Sequence, residues 1–126
     1  MGKYQELEEI EVYQLAVTLG DRIWEIVSSW SYFDRDTVGK QMVRAADSIA
    51  ANIAESYGRY HYGEKLNFLY YSRGSLYETQ HWVGRSHGRG LMDDTTFDDL
   101  MGRMHTLAPK LNAYIKSKRH QRSQSK

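Results

Sequence analysis

The chain has 126 residues, no cysteine and a formal net charge of +1, so it is read as one domain that buries roughly two thirds of its unfolded surface. Without cysteine there are no disulfides and no thiolate metal centres. No apolar run approaches the ~20 residues of a bilayer span, and the opening MGKYQELEEIEV is too acidic for a secretory signal, so the expectation is a cytoplasmic protein with no membrane partner.

In chain order, apolar residues recur at helical spacing and no convincing period-two run appears. The first helix is expected over about residues 5–31, with Val12, Leu15, Ala16, Leu19, Ile23, Ile26, Val27 and Trp30 on one face. SYFDRD reads as a break in which Asp34 or Asp36 caps the next helix. That second helix, about residues 37–57, turns Val38, Met42, Ala45, Ala46, Ile49, Ile53 and Tyr57 inward. Gly58 and Gly63 mark a short connection. The third helix, about residues 62–87, presents Leu66, Leu69, Ser72, Leu76 and Val83, and Gly88 and Gly90 supply the positive φ that ends it. Asp93 caps a fourth helix bearing Phe97, Leu100, Met101, Met104, Leu107, Leu111, Tyr114 and Ile115, with a kink expected at Pro109. Four helices on short connections predict an all-α, up-down-up-down four-helix bundle over residues 1–115.

Residues 116–126, KSKRHQRSQSK, contain five Lys or Arg, no acid and no apolar side chain. They read as a disordered basic tail, a composition that touches polyanions or simply keeps a domain soluble. Lys116, Lys118, Arg119, Arg122 and Lys126 are therefore candidate phosphate contacts, with Arg44, Arg59 and Arg73 as secondary candidates.

Two helices carry more apolar surface than one bundle core needs. Tyr13, Val17, Gly20 and Trp24 form a second stripe on the first helix, and Phe68, Ser75, Thr79 and Trp82 one on the third. Tyr13, Val17, Trp24, Phe68 and Trp82 are the candidate interface of a self-associating chain. Cyclic assembly is the expected form, each subunit burying one stripe against a different stripe of the next.

The second helix is thin: RAADSIAANIAESYGRY places Ala45, Ala46, Ala50, Ala51 and Ala54 among polar neighbours. Gln41, Ser48, Asn52 and Arg59 line one shoulder of its apolar face, and Glu55 stands four residues before Arg59, the favourable order for an ion pair. Ser48, Asn52 and Glu55 read as packing and specificity elements, with Asn52 expected to bond a neighbouring helix.

No enzyme chemistry is expected. Glu78 and His81 form a single E-x-x-H, and a di-iron bundle needs a second such motif and two further inward Glu. Arg59/His61, Arg85/His87 and Arg103/His105 are too closely spaced for the Arg–His pair of all-α ribonucleases, and no Gly-rich phosphate loop follows a strand. No cofactor and no metal are expected.

The run QMVRAADSIAANIAESYGRYHYGEKLNFLYYSRGSLYETQ resembles the small four-helix-bundle family named for intervening sequences in 23S ribosomal RNA genes. In this chain the family pattern falls on Arg44 to Glu55, Gly58–Arg59, Glu64 to Leu69 and Gly74 to Glu78, with Ser56 departing from the usual Gly. LEEIEVYQLAVTLGDRIW and LMDDTTFDDL also fit. The resemblance implies a non-enzymatic bundle that assembles as a homopentamer. It extends to the accessory proteins of diversity-generating retroelements, basic pentameric barrels that bind nucleic acid beside a reverse transcriptase. Five tails on one ring would gather about +25 of charge. The expected function is an accessory or scaffold protein that binds RNA or DNA; the alternative is a protein–protein interaction module.

Overall fold

The computed structural model describes residues 5–125, and among these it contains four long helices and no strand. Helix α1 is Glu11–Ser28, entered through the 3-10 turn Leu7–Glu9. Its residues Val12, Ala16, Leu19, Ile23 and Val27 recur every three or four positions and are all buried, as an amphipathic helix requires.

Helix α2 begins earlier than its periodicity suggests. Tyr32–Asp34, a π-helical turn Arg35–Gly39 and Lys40–Gly58 form one uninterrupted helix. The break therefore lies at Ser29–Ser31 rather than across all of SYFDRD, and Ser31, not either aspartate, is the cap. Ser31 Oγ accepts the Asp34 backbone N–H at 3.4 Å, while the Ser31 hydroxyl donates to the Asp34 carboxylate at 3.0 Å. The π turn packs tightly on the end of α1. A Cβ on Gly39 would stand 2.6 Å from Val27 Cγ1 and 3.1 Å from the Asp34 carbonyl oxygen, so only glycine fits.

Helix α3, Tyr62–Gly88, lies antiparallel on α2 and makes its closest pairing. Ser72 Oγ donates to the Ile49 carbonyl at 2.8 Å, and Ser86 Oγ approaches Met42 Sδ at 3.8 Å. Ala45 and Ala46 are fully buried, as are Ser72, Thr79 and Ser86 at heptad spacing on the facing helix. Small residues on both sides let the two backbones approach, which is why the thin second helix lies in the core. Gly20 and Thr79, assigned by periodicity to the outer stripes, belong to this interior for the same reason.

The end of α3 is a Schellman motif. Leu91 N–H reaches the Ser86 carbonyl at 2.8 Å and Gly90 N–H the His87 carbonyl at 3.0 Å, with Gly90 at φ 77°. Asp93 then caps α4, Asp94–Gln124, by accepting the Thr96 N–H at 2.8 Å. Leu100, Met104, Leu107, Leu111 and Ile115 of α4 complete the core, where each such side chain contributes roughly 1.5–3 kcal/mol. Pro109 stays inside the helix. Both it and His105, whose carbonyl it deprives of a donor, face water, so that carbonyl can be hydrated.

The reading of residues 116–125 as disordered is corrected: α4 continues as helix to Gln124. Nothing in KSKRHQRSQ stops a helix, and Lys118 and Arg119 lay their stems and charges against tyrosine rings of the bundle. Lys126 lies outside the described residues.

Pairings such as Lys110–Glu11 and Arg22–Asp99 run α4 antiparallel to α1 and close the bundle. One end therefore holds the α2–α3 connection and the last turns of α4. The other holds the α1–α2 and α3–α4 connections.

Candidate nucleic-acid interface

Cations and aromatic rings converge where α4 outruns the bundle. Arg119 Nε donates to Tyr70 Oη at 2.9 Å, and its guanidinium lies 5.5 Å from that ring's centroid. Arg73 sits 5.2 Å from the same ring and donates to Asn112 Oδ1 at 3.2 Å. Lys118 Nζ stands 5.0 Å from the Tyr114 ring. Burial lifts the Tyr114 hydroxyl above the usual tyrosine range, so it stays a neutral donor at physiological pH. Arg122 lies flat over the first turn of α3: a Cβ on Gly63 would be 3.3 Å from its Nη2. Tyr60, His61, Tyr62, Gly63 and Arg122 surround a hollow of about 620 Å³, and Tyr60 is 88 % exposed.

Beside it lies a second cleft of about 470 Å³, lined by Lys65, Lys118, Tyr62, Tyr114 and Gln121 above a floor of Ile10 and Ser56. Lys65 Nζ donates to the Ser56 and Tyr57 carbonyls, both at 3.2 Å, so it caps the C-terminal end of α2. Burial pushes Lys65 below the usual lysine range. Burial, and then the neighbouring charge of Lys65, does the same to Lys118.

The predicted cations divide by their partners. Lys116, Lys118, Arg119, Arg122 and Arg73 gather at this end and have no carboxylate partner among the described residues. Arg59 is also here but already engaged, at 2.8 Å from Glu55 Oε2 and 3.7 Å from Glu64 Oε2, and it lies 4.7 Å over the Phe68 ring. Arg44 is elsewhere, held at 2.7 Å by Glu78.

Periodicity does not single out Lys65 or the tyrosines 60, 62 and 70, and it puts Tyr114 on the apolar face of the fourth helix. The sequence signal for Tyr60, Tyr62, Lys65 and Tyr114 is the interleaving of aromatic and basic residues in YGRYHYGEK and AYIKSKRHQR, and Tyr70 lies outside both. Among the described residues, no group of His, Asp and Glu is arranged to hold a metal ion.

Of the packing elements, Glu55 pairs with Arg59 as expected. Asn52 does not cross to a neighbouring helix. Its Nδ2 donates to the Ser48 carbonyl at 2.8 Å within α2, and Ser48 Oγ donates to the Arg44 carbonyl at 2.8 Å in the same way. On a half-exposed shoulder, the carbonyl four residues back is the nearest acceptor.

The five interface candidates are not one patch. Trp24 is 61 % exposed and lines an apolar groove of about 380 Å³ with Val27, Gly39 and Val43, near the exposed Tyr32 and Phe33. Arg44 also lines that groove and joins it to Trp82, because Glu78 accepts both Arg44 and Trp82 Nε1, the latter at 3.1 Å. Tyr13 and Trp82 are half-buried against the core, and Val17 is half-buried. Phe68, 14 residues before Trp82, stands about 21 Å away along α3 under Arg59.

The pattern of the 23S rRNA-intervening sequence protein family matches residues 8–113. A similar solved structure is that of a protein of unknown function from the S23 ribosomal protein family of Bacteroides thetaiotaomicron. It shares 19 % identity over 83 % of this chain and 98 % of its own, with a TM-score of 0.75, and so supports the four-helix fold. Comparison with curated proteins gives no match. No helix among the described residues is long and apolar enough to cross a membrane.

Proposed function

Because the chain belongs to the 23S rRNA-intervening sequence protein family, which leaves its activity open, we propose that it is a non-enzymatic accessory or scaffold protein. It binds single-stranded RNA or DNA at the end where α4 outruns the bundle. The carrying observation is the convergence there of Arg73, Lys116, Lys118, Arg119 and Arg122, free of carboxylate partners, with the rings of Tyr60, Tyr62, Tyr70 and Tyr114. Cations track a phosphate backbone, and exposed rings stack bases without regard to sequence.

Self-association belongs to the same proposal. The Trp24 groove, with Tyr32 and Phe33, is the apolar surface a second copy would cover. The number five comes only from the family resemblance, and a reverse transcriptase as partner only from its extension to retroelement accessory proteins. The same groove also favours the alternative of a protein-interaction module. Anisotropy titration of labelled single-stranded RNA and DNA at low salt decides between them: binding supports the proposal, and none at micromolar protein leaves the interaction module. Native mass spectrometry tests assembly. A species near 14.7 kDa at micromolar concentration would refute it, and Trp24→Glu should dissociate any oligomer while helicity persists.

A further inference from the structure

The cleft between Lys65 and Lys118 differs from the open basic surface around it. It has a floor: Ile10 and Ser56, only 4 % and 3 % exposed, close its base. Among the described residues no carboxylate lines it, although its walls hold two ammonium groups close enough for one to depress the other's proton affinity. Unlike charges would relieve that repulsion, and the described lining supplies none. Two of the three Lys65 protons are spent on the Ser56 and Tyr57 carbonyls, which fixes the ammonium and leaves its third donor. Lys118 spends one on Gln121 Oε1 at 3.2 Å.

Two ammonium groups in one cleft favour the ligand group that carries the most negative charge. A terminal phosphate carries about −1.5 to −2 at neutral pH, against one charge for an internal phosphodiester, and so answers two lysines rather than one. We infer that this cleft is a site for the terminal phosphate of a nucleotide chain, with Lys65 and Lys118 taking the phosphate oxygens and the Tyr62 and Tyr114 walls taking the attached nucleoside. The inference rests on the nucleic-acid proposal and makes it more specific: the protein prefers phosphorylated strand ends. The cleft's volume of about 470 Å³ is in the range of small-ligand sites.

The test compares three labelled single strands of about ten nucleotides, carrying a 5′-phosphate, a 3′-phosphate or neither, with adenosine monophosphate as a competitor. The full-length protein should bind one phosphorylated strand about tenfold more tightly than the unphosphorylated one. Lys118→Gln, past Ile115, the last buried residue of α4, should remove that advantage. Lys65→Gln should do the same, with its fold checked by circular dichroism because it also caps α2. Equal binding of all three strands overturns the inference and leaves the nucleic-acid proposal standing. Binding of adenosine monophosphate, abolished by Lys118→Gln, without binding of any strand supports the phosphate site and overturns the proposed function. No binding of any probe overturns both.

Discussion

Replacing Lys116, Lys118, Arg119 and Arg122 together with glutamine should flatten the salt dependence of nucleic-acid binding while leaving the bundle folded. Glutamine matches lysine and arginine closely in helix propensity, so the extension stays helical. The substitution removes the stacking of Arg119 on Tyr70 and of Lys118 on Tyr114, worth about 1–2 kcal/mol in all. No core side chain is touched, because the last buried residue of α4 is Ile115. For single strands each neutralised phosphate adds about 0.7 to the slope of log K against log salt, so four cations account for a slope of about 3. They alone make affinity fall about fiftyfold from roughly 50 to roughly 200 mM salt. Anisotropy titrations across that range read the slope directly. A variant that keeps the parental slope would show that these cations meet no phosphate, and the assignment of this end of the molecule would fall.

Three further outcomes test the packing. Gly39→Ala should destabilise by about 1–3 kcal/mol in urea titration, since its Cβ meets Val27 Cγ1 at 2.6 Å and a backbone oxygen at 3.1 Å; an unchanged midpoint would refute the close approach of α1 to the π turn. Asn52→Leu should leave the NMR spectrum and melting profile nearly intact, because its bond stays within α2, and a shift to heterogeneous packing would restore a specificity role. Asp47 has its proton affinity raised, first by burial and then by Asp21. Its charged form therefore costs stability once pH exceeds the ordinary carboxylate range, and acidification relieves that cost. Asp47→Asn should accordingly raise the melting temperature at neutral pH, with the gain shrinking as pH falls toward about 4; a gain that grew on acidification would reverse the assignment.

The core was legible because it rests on one strong signal. Ile49, Ile53, Leu69, Leu76, Leu107 and Leu111 stand at helical spacing, and every one is buried. Gly90 and Asp93 were equally plain, since a Schellman turn and an N-cap need those residue types locally. The start of α2 was not, because Ser31, Asp34 and Asp36 are all good caps by type and only geometry chooses among them. The helix beyond Ile115 was invisible for another reason. No apolar period marks it, and it is supported by Tyr70 and Tyr114 through interactions up to 49 residues apart in sequence. Charge pairing is likewise hidden: Arg44 looked as free as Arg73 until folding set Glu78, 34 residues away, beside it.

The separation of the two surfaces bears on how they work together. The Trp24 groove lies by the first turns of α2, around Gly39 and Val43, while the basic cleft lies at its last, around Ser56. Seventeen residues from Gly39 to Ser56 put them about 25 Å apart along the helix, beyond the Debye length of about 8 Å at physiological salt. Charge at one end is therefore screened from the other, and neither surface must rearrange for the other to be filled. Copies joined through their grooves would keep every basic end exposed, each adding its own phosphate contacts to a shared strand. Affinity would then rise through effective concentration rather than through new contacts. The near-neutral composition of the whole chain is no obstacle to that arrangement, because carboxylates engage Arg22, Arg44, Arg59 and Arg103 and leave the cations of the α4 extension to act together.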